Sequence, residues 1–226
     1  MLSSNLALAQ SEDEQDAIIK VYDSLYREDQ IYLNVHFNTI IDAASAFSRD
    51  GLSMGFDIGF MRDMPFNKRR NWAVAIGMGY SFNVYNHNLF VGEEDDFETS
   101  LFEFLPSDFS RKINRLTTHS LEVPLQLRWR TSTIESYSFW RIYTGVKFTY
   151  NYYYRSRLKT SEFEIQQTDI PEFNPARLGI TLSVGNGTFN LFVYYGLDKL
   201  FDDSARVNDI PVGIRELQVG MAFYLL

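Results

Sequence analysis

The side chains in this 226-residue chain that could carry chemistry are three histidines, a short acidic run and a scatter of lysines and arginines. Nucleophilic or acid–base catalysis needs a histidine paired with a serine, aspartate or asparagine. His36 has polar-face parity in an alternating stretch, His119 has apolar-face parity at a strand end, and His87 opens the longest connection. An interior His36 bonded to Asn or Tyr explains that residue without an active site, so no catalytic role is expected and the chain is read as a non-enzyme. The run Glu93-Glu94-Asp95-Asp96 has the charge to hold calcium, or lipopolysaccharide through bridging divalent cations. It lacks the spacing and the glycine of an EF-hand loop, and reads as a solvated acidic loop. The chain has no cysteine, which removes thiolate nucleophiles, Cys-based zinc sites and disulfides together. A net charge of -8, with no basic stripe, excludes a nucleic-acid surface. No cofactor and no metal are expected.

The elements that must position these residues are strands. No window holds about 18 consecutive apolar residues, so a spanning α-helix is excluded, whereas a membrane β-strand needs only about ten residues with alternate ones apolar. Residues 1–9 end in Ala7-Leu8-Ala9, the small-x-small pattern of a signal-peptide cleavage site, and read as a residual signal peptide. Residues 10–30 are acidic, with Ile18, Tyr22 and Leu25 at helical spacing, and predict a short amphipathic helix. From Ile31 the period changes to two and continues to the C-terminus, which predicts a single barrel domain over 31–226.

Eight strands are expected, at 31–40, from Leu52 to Phe60, from Trp72 to Val84, at 120–130, at 140–152, from Leu178 to Gly185, from Phe189 to Asp198 and at 216–225. Asn186-Gly187 supplies one tight hairpin turn, and Pro124 is the one misfit, a proline expected to mark a bulge. Each strand has one apolar face, and of the 42 positions on these faces only Thr144 is neither apolar nor aromatic. An eight-stranded barrel has an interior just wide enough for side chains to fill, so so many bulky residues do not fit inside it. They belong outside, against lipid. The opposite faces carry nine of the 13 glycines and the charges Asp57, Glu122, Arg128, Arg141, Lys147, Asp198 and Glu216. These are expected to form a lumenal polar network, since buried charges must be paired.

The fold expected is therefore an all-β, eight-stranded antiparallel up-and-down transmembrane barrel. Short connections near 62–71, 131–138 and 186–188 predict periplasmic turns, on the side of both termini. Those at 41–50, 86–116, 155–176 and 202–214 predict extracellular loops. The surfaces left for partners are the N-terminal helix with Ile18, Tyr22 and Leu25, the basic turn Lys68-Arg69-Arg70, and the second long loop with Phe102 and Phe104.

The stretch from Gly55 to Asn88, with Gly59-Phe60, Asp63-Met64-Pro65, Asn67-Lys68-Arg69-Arg70-Asn71 and Gly77-Met78-Gly79-Tyr80, resembles PorT-like outer-membrane proteins of Bacteroidota. So do HSLEVPLQLRWRTST at 119–133 and FWRIYTGVKFTY at 139–150. The resemblance covers strands two to five. It implies an outer-membrane barrel of a family whose founding member serves type IX secretion and gliding-associated export, and it brings no catalytic residues. Within it the Leu121-Glu122-Val123-Pro124 run looks like a fold signature that accounts for the proline. The expected role is a scaffold or accessory part of an export or outer-membrane assembly machine. The expected partners are the lipid bilayer, lipopolysaccharide and other outer-membrane or periplasmic proteins. A small passive channel and an OmpA-type structural or adhesive barrel are the alternatives.

Overall fold

The computed structural model describes residues 29–93, 100–131 and 140–225. The signal-like segment and the expected helix with Ile18, Tyr22 and Leu25 lie outside the described residues. In chain order the strands are β1 (Gln30–Ile41), β2 (Met54–Pro65), β3 (Trp72–Asn86), β4 (Leu89–Glu93), β5 (Ser100–Phe104), β6 (Ile113–Arg130) and β7 (Trp140–Lys159). They continue as β8 (Glu164–Gln167), β9 (Ala176–Asn186), β10 (Phe189–Lys199), β11 (Arg206–Val207), β12 (Ile210–Pro211) and β13 (Arg215–Leu225).

Eight of them close a barrel, in the order β6-β3-β2-β1-β13-β10-β9-β7, with β6 returning to β7. Every pairing is antiparallel, and the first and last strands meet over eleven residues from Ile31↔Leu225 to Ile41↔Arg215. Closure leaves no unpaired edge, which a β structure in hydrocarbon requires. The period of two then sorts the side chains. In β2, Met54, Phe56, Ile58 and Phe60 are exposed, while Gly55, Asp57, Met61 and Asp63 are buried. In β6, Leu121, Val123, Leu125 and Leu127 point out, while Ser120, Glu122, Gln126 and Arg128 point in. The apolar face lies outside around the whole circumference, and Met78 is 68% exposed there. Such a surface is stable against lipid tails and unfavourable against water.

Pro124 produces no bulge. It stands opposite Lys147 in β7, and on its other side the β3–β6 ladder omits the pairs between Ile76↔Leu125 and Gly79↔Glu122 while keeping its register. The missing N–H therefore removes local bonds without displacing a residue. The irregularities lie elsewhere. At the step from His119 to Ser120, β7 carries one extra residue, so Tyr152 and Tyr153 both face outward. The β10–β13 register shifts between Tyr195 and Lys199.

The strand bounds also differ from the sequence pattern. β2 begins two residues later and runs on to Pro65, β6 begins at Ile113, and β7 extends to Lys159. The extended ends of β3, β6 and β7 rise beyond the lipid face and carry a second, conventional core. Tyr85, Leu89, Val91, Phe102, Leu116, Ile170, Phe173, Leu200, Phe201 and Ile214 cluster there with Phe104 packed against them. Phe102 meets Phe201 edge-on at 5.4 Å, and Phe173 stacks on Tyr154 at 4.2 Å. The loops opposite the termini thus form an ordered cap over the barrel mouth. This corrects the expectation that Phe102 offers a partner surface, while Phe104 stays half-buried beside the cluster. Phe102 is only 6% exposed, because the β4–β5 hairpin folds it back onto the cap instead of outward.

Candidate functional site

Six of the seven charges expected in the lumen, together with further polar residues, lie inside the barrel in three groups. At the centre, Lys147 on β7 places Nζ 2.9 Å from Glu122 Oε2 and 3.3 Å from Asp57 Oδ2. Tyr32 donates to Glu122 Oε1 at 2.6 Å. Asn34 and Ser81 donate to Asp57 at 3.0 and 2.6 Å, and His36 Nε2 lies 3.2 Å from the same carboxylate. The Lys147 ammonium also stands over the Tyr194 ring at 4.5 Å. One cation between two carboxylates, each with further donors, is the arrangement that makes buried charge tolerable.

Space for this cluster comes from glycine. Gly59 and Gly79 face each other across β2 and β3, beside Tyr32. A Cβ at either would lie 2.4 or 2.0 Å from the Tyr32 hydroxyl. The small residues expected on the lumenal face are thus what admits the large ones.

Toward the cap, Glu216 pairs with Arg177 Nη1 at 2.8 Å and accepts a hydrogen bond from Tyr85. Gln218 donates to both Glu216 and Asn83, joining this group to the centre. Toward the terminal end, Asp63 receives Arg128 Nη1 at 3.3 Å and Arg130 Nη1 at 2.9 Å, with Arg128 also over the Tyr143 ring at 4.6 Å. Arg141 donates to the Gly187 carbonyl in the β9–β10 turn. Among the described residues, then, Asp57, Glu122, Arg128, Arg141, Lys147 and Glu216 lie in the lumen.

Asp198 does not, and this is a correction. It is exposed, and its carboxylate accepts the Leu178 backbone N–H at 2.7 Å on the outside of the barrel. The register shift after Tyr195 reverses the parity that strict alternation assigned it. Conversely, Asp63 and Arg177 belong to the network although the alternating pattern does not single them out, and Tyr32, His36 and Arg130, which have polar-face parity, join it as well. Asp63 has the parity of Asp57, and extending β2 past Phe60 would have found it.

The arrangement packs and neutralises; it does not assemble a nucleophile. His36 and Ser81 both bond Asp57 instead of each other, and all three are buried. His36 Nδ1 is engaged by Asn38 at 2.9 Å. His119 faces outward among Phe82, Tyr152 and Tyr153, its Nδ1 2.7 Å from the Tyr80 hydroxyl. His87 is buried in the cap, where loss of hydration lowers its pKa to about 4. No group of three metal-ligating side chains converges among the described residues. Of the acidic run, Glu93 is described and exposed, and 94–96 lie outside the described residues.

Around the central cluster the lumen is filled. The void between Tyr32, Glu122, Gln126, Lys147 and Tyr224 measures about 10 Å³, about the room one water needs. The basic turn lies outside it: Lys68 and Arg69 are exposed, while Arg70 adopts a φ of 52° and its carbonyl accepts from Arg130 Nε at 3.2 Å.

No curated protein sequence matches the chain. Two solved structures of Ail, the attachment invasion locus protein of Yersinia pestis, one in complex with the heparin analogue sucrose octasulfate, are similar to it. Each is 14% identical, covers 88% of this chain and 100% of the Ail chain, and superposes with a TM-score of 0.31. Residues 8–202, which include seven of the eight barrel strands, match a known family, and on that match the chain belongs to the outer membrane protein beta-barrel domain family.

Proposed function

We propose that this outer-membrane barrel is a non-enzymatic scaffold or accessory component of a protein export or outer-membrane assembly machine. The observation that carries the reading is the filled centre of the lumen: Asp57, Asp63, Glu122 and Glu216 each meet a cation, and the void among the central residues is about 10 Å³. A barrel so filled acts through its ends and its outer wall. The same observation weighs against the passive-channel alternative, and steady large conductance in planar bilayers would reinstate that alternative.

The PorT-like resemblance of residues 55–88 and 119–150 supports the export role. With short turns on the side of the termini and longer connections opposite, the termini and the Lys68-Arg69 turn face the periplasm, and the cap faces outward. The basic turn then meets periplasmic partners. In-membrane crosslinking followed by co-purification tests this reading: defined export or assembly proteins should return with the barrel and be lost when Lys68 and Arg69 are changed to Ser. A barrel that returns alone sinks it. A surface-contact role is the second reading, favoured by a cap that has its own apolar core and so presents a fixed shape.

A further inference from the structure

On the outer wall, β2 stops short of its neighbour. Its pairing with β3 ends at Gly55↔Asn83, and its pairing with β1 ends at Phe37↔Met54. β3 continues to Asn86, paired there with Arg115 of β6. The step leaves a groove of about 660 Å³, walled by Leu33, Val35, Met54, Phe56, Phe82 and Val84. At its upper end the wall turns polar at Asn86 and Arg115, and these two residues also line an adjoining recess of about 390 Å³. That recess holds Arg111, Lys112 and Arg115 against a single carboxylate, Asp50. Asp50 is already taken by Arg111 at 2.8 Å. Arg115 and Lys112 form no ion pair among the described residues, and Arg115 Nε is buried without a partner.

An apolar groove running along the lipid face into a recess with two uncompensated cations matches one class of molecule, an acylated lipid whose headgroup carries phosphate. We infer that this step is a specific lipid site, and that its occupant is a lipid A-type phosphorylated glycolipid of the outer leaflet. One acyl chain lies against Val35, Met54 and Val84, and a phosphate is held by Arg115 and Lys112. The assignment to the outer leaflet rests on the proposed orientation with the cap outward. Labelling of an introduced cysteine at Ser107 on intact cells checks that orientation separately.

Native mass spectrometry of the full-length barrel in detergent, titrated with bisphosphorylated lipid A, phosphatidylglycerol or inorganic phosphate, tests the site. One lipid A should bind saturably. Arg115→Gln should weaken it at least tenfold, and Val84→Trp, which fills the groove, should weaken it comparably. Both side chains lie outside the lumen, and a retained heat-modifiable band shows that each variant still folds. Equal binding by wild type and both variants overturns the site. Equal retention of phosphatidylglycerol overturns the glycolipid assignment, and tight binding of inorganic phosphate alone overturns the lipid one. None of these outcomes touches the partner-capture experiment, so failure here is separable from failure of the export reading.

Discussion

Lys147 Nζ stands 2.9 Å from Glu122 Oε2 inside a barrel whose outer wall faces lipid, and the same ammonium is shared with Asp57 at 3.3 Å. Removing it leaves two carboxylates facing each other with no cation between them. Lys147→Met should therefore cost about 3–5 kcal/mol, the usual penalty for orphaning a buried charge. Denaturant unfolding in detergent micelles reads this loss, and adding Glu122→Gln should recover part of it. A Lys147→Met barrel as stable as wild type would mean that the pairing is incidental.

Tyr32 reaches Glu122 only because Gly79 has no side chain. In Gly79→Ala the new methyl displaces the hydroxyl, and a buried hydrogen bond worth about 1–3 kcal/mol is lost. Tyr32→Phe removes that hydroxyl beforehand, so the double variant should lose less than the sum of the singles. Strict additivity in a double-mutant cycle would contradict the close approach.

Leu125 is 44% exposed on the lipid face of β6. Leu125→Arg should destabilise the barrel by about 2–4 kcal/mol if that face meets the hydrocarbon midplane. The same change on a water-facing strand would be close to neutral, so the folding free energy in lipid vesicles discriminates between the two.

Phe201 anchors the cap through edge-on contacts with Phe102 and Phe173. Phe201→Ala should cost the cap about 3–5 kcal/mol. Phe102 and Phe173 lie outside the barrel strands, so protease nicking in 100–112 and 160–175 should rise sharply while the heat-modifiable barrel band stays unchanged. Loss of the whole fold would show that cap and barrel are a single cooperative unit.

His87 gives the cap a pH dependence of known sign. Burial holds its folded pKa at about 4, below the usual 6.5, with Asp50 opposing that shift and Arg111 adding to it. Above pH 6.5 both states are neutral and nothing changes. Between 6.5 and 4 the unfolded imidazole takes up a proton that the folded one refuses, so stability falls with pH, by about 3 kcal/mol in full. Hydrogen exchange of cap amides at pH 7.5 and 4.5 should show this, and His87→Gln should flatten it. An equal slope in that variant would place the dependence elsewhere.

The contrast between Asp57 and Asp198 shows what the sequence alone could decide. Alternation assigns a face as long as each strand stays in register, and for Asp57, Glu122, Lys147 and Glu216 it does. A single irregularity after Tyr195 reverses the assignment, and Gly196 within it reads in the sequence as one more small lumenal residue. Asp63 escapes the pattern for a related reason: where a strand ends depends on how far its neighbours continue to pair, and β3 carries β2 on to Pro65. For Phe102 the sequence is ambiguous, because an aromatic residue in a long polar connection looks the same whether it seeks a partner or the chain's own cap.

The amino-acid sequence by itself determined the fold class, the number of barrel strands and the side that faces lipid. Those follow from a period-two apolar pattern repeated eight times, too bulky for the interior of so small a barrel. Which charges meet, that the centre of the lumen is filled, that the loops share a core, and that β2 stops short to leave a cationic groove were decided only by tertiary structure. Each depends on side chains brought together from strands distant in sequence, and a local pattern holds no record of such distances.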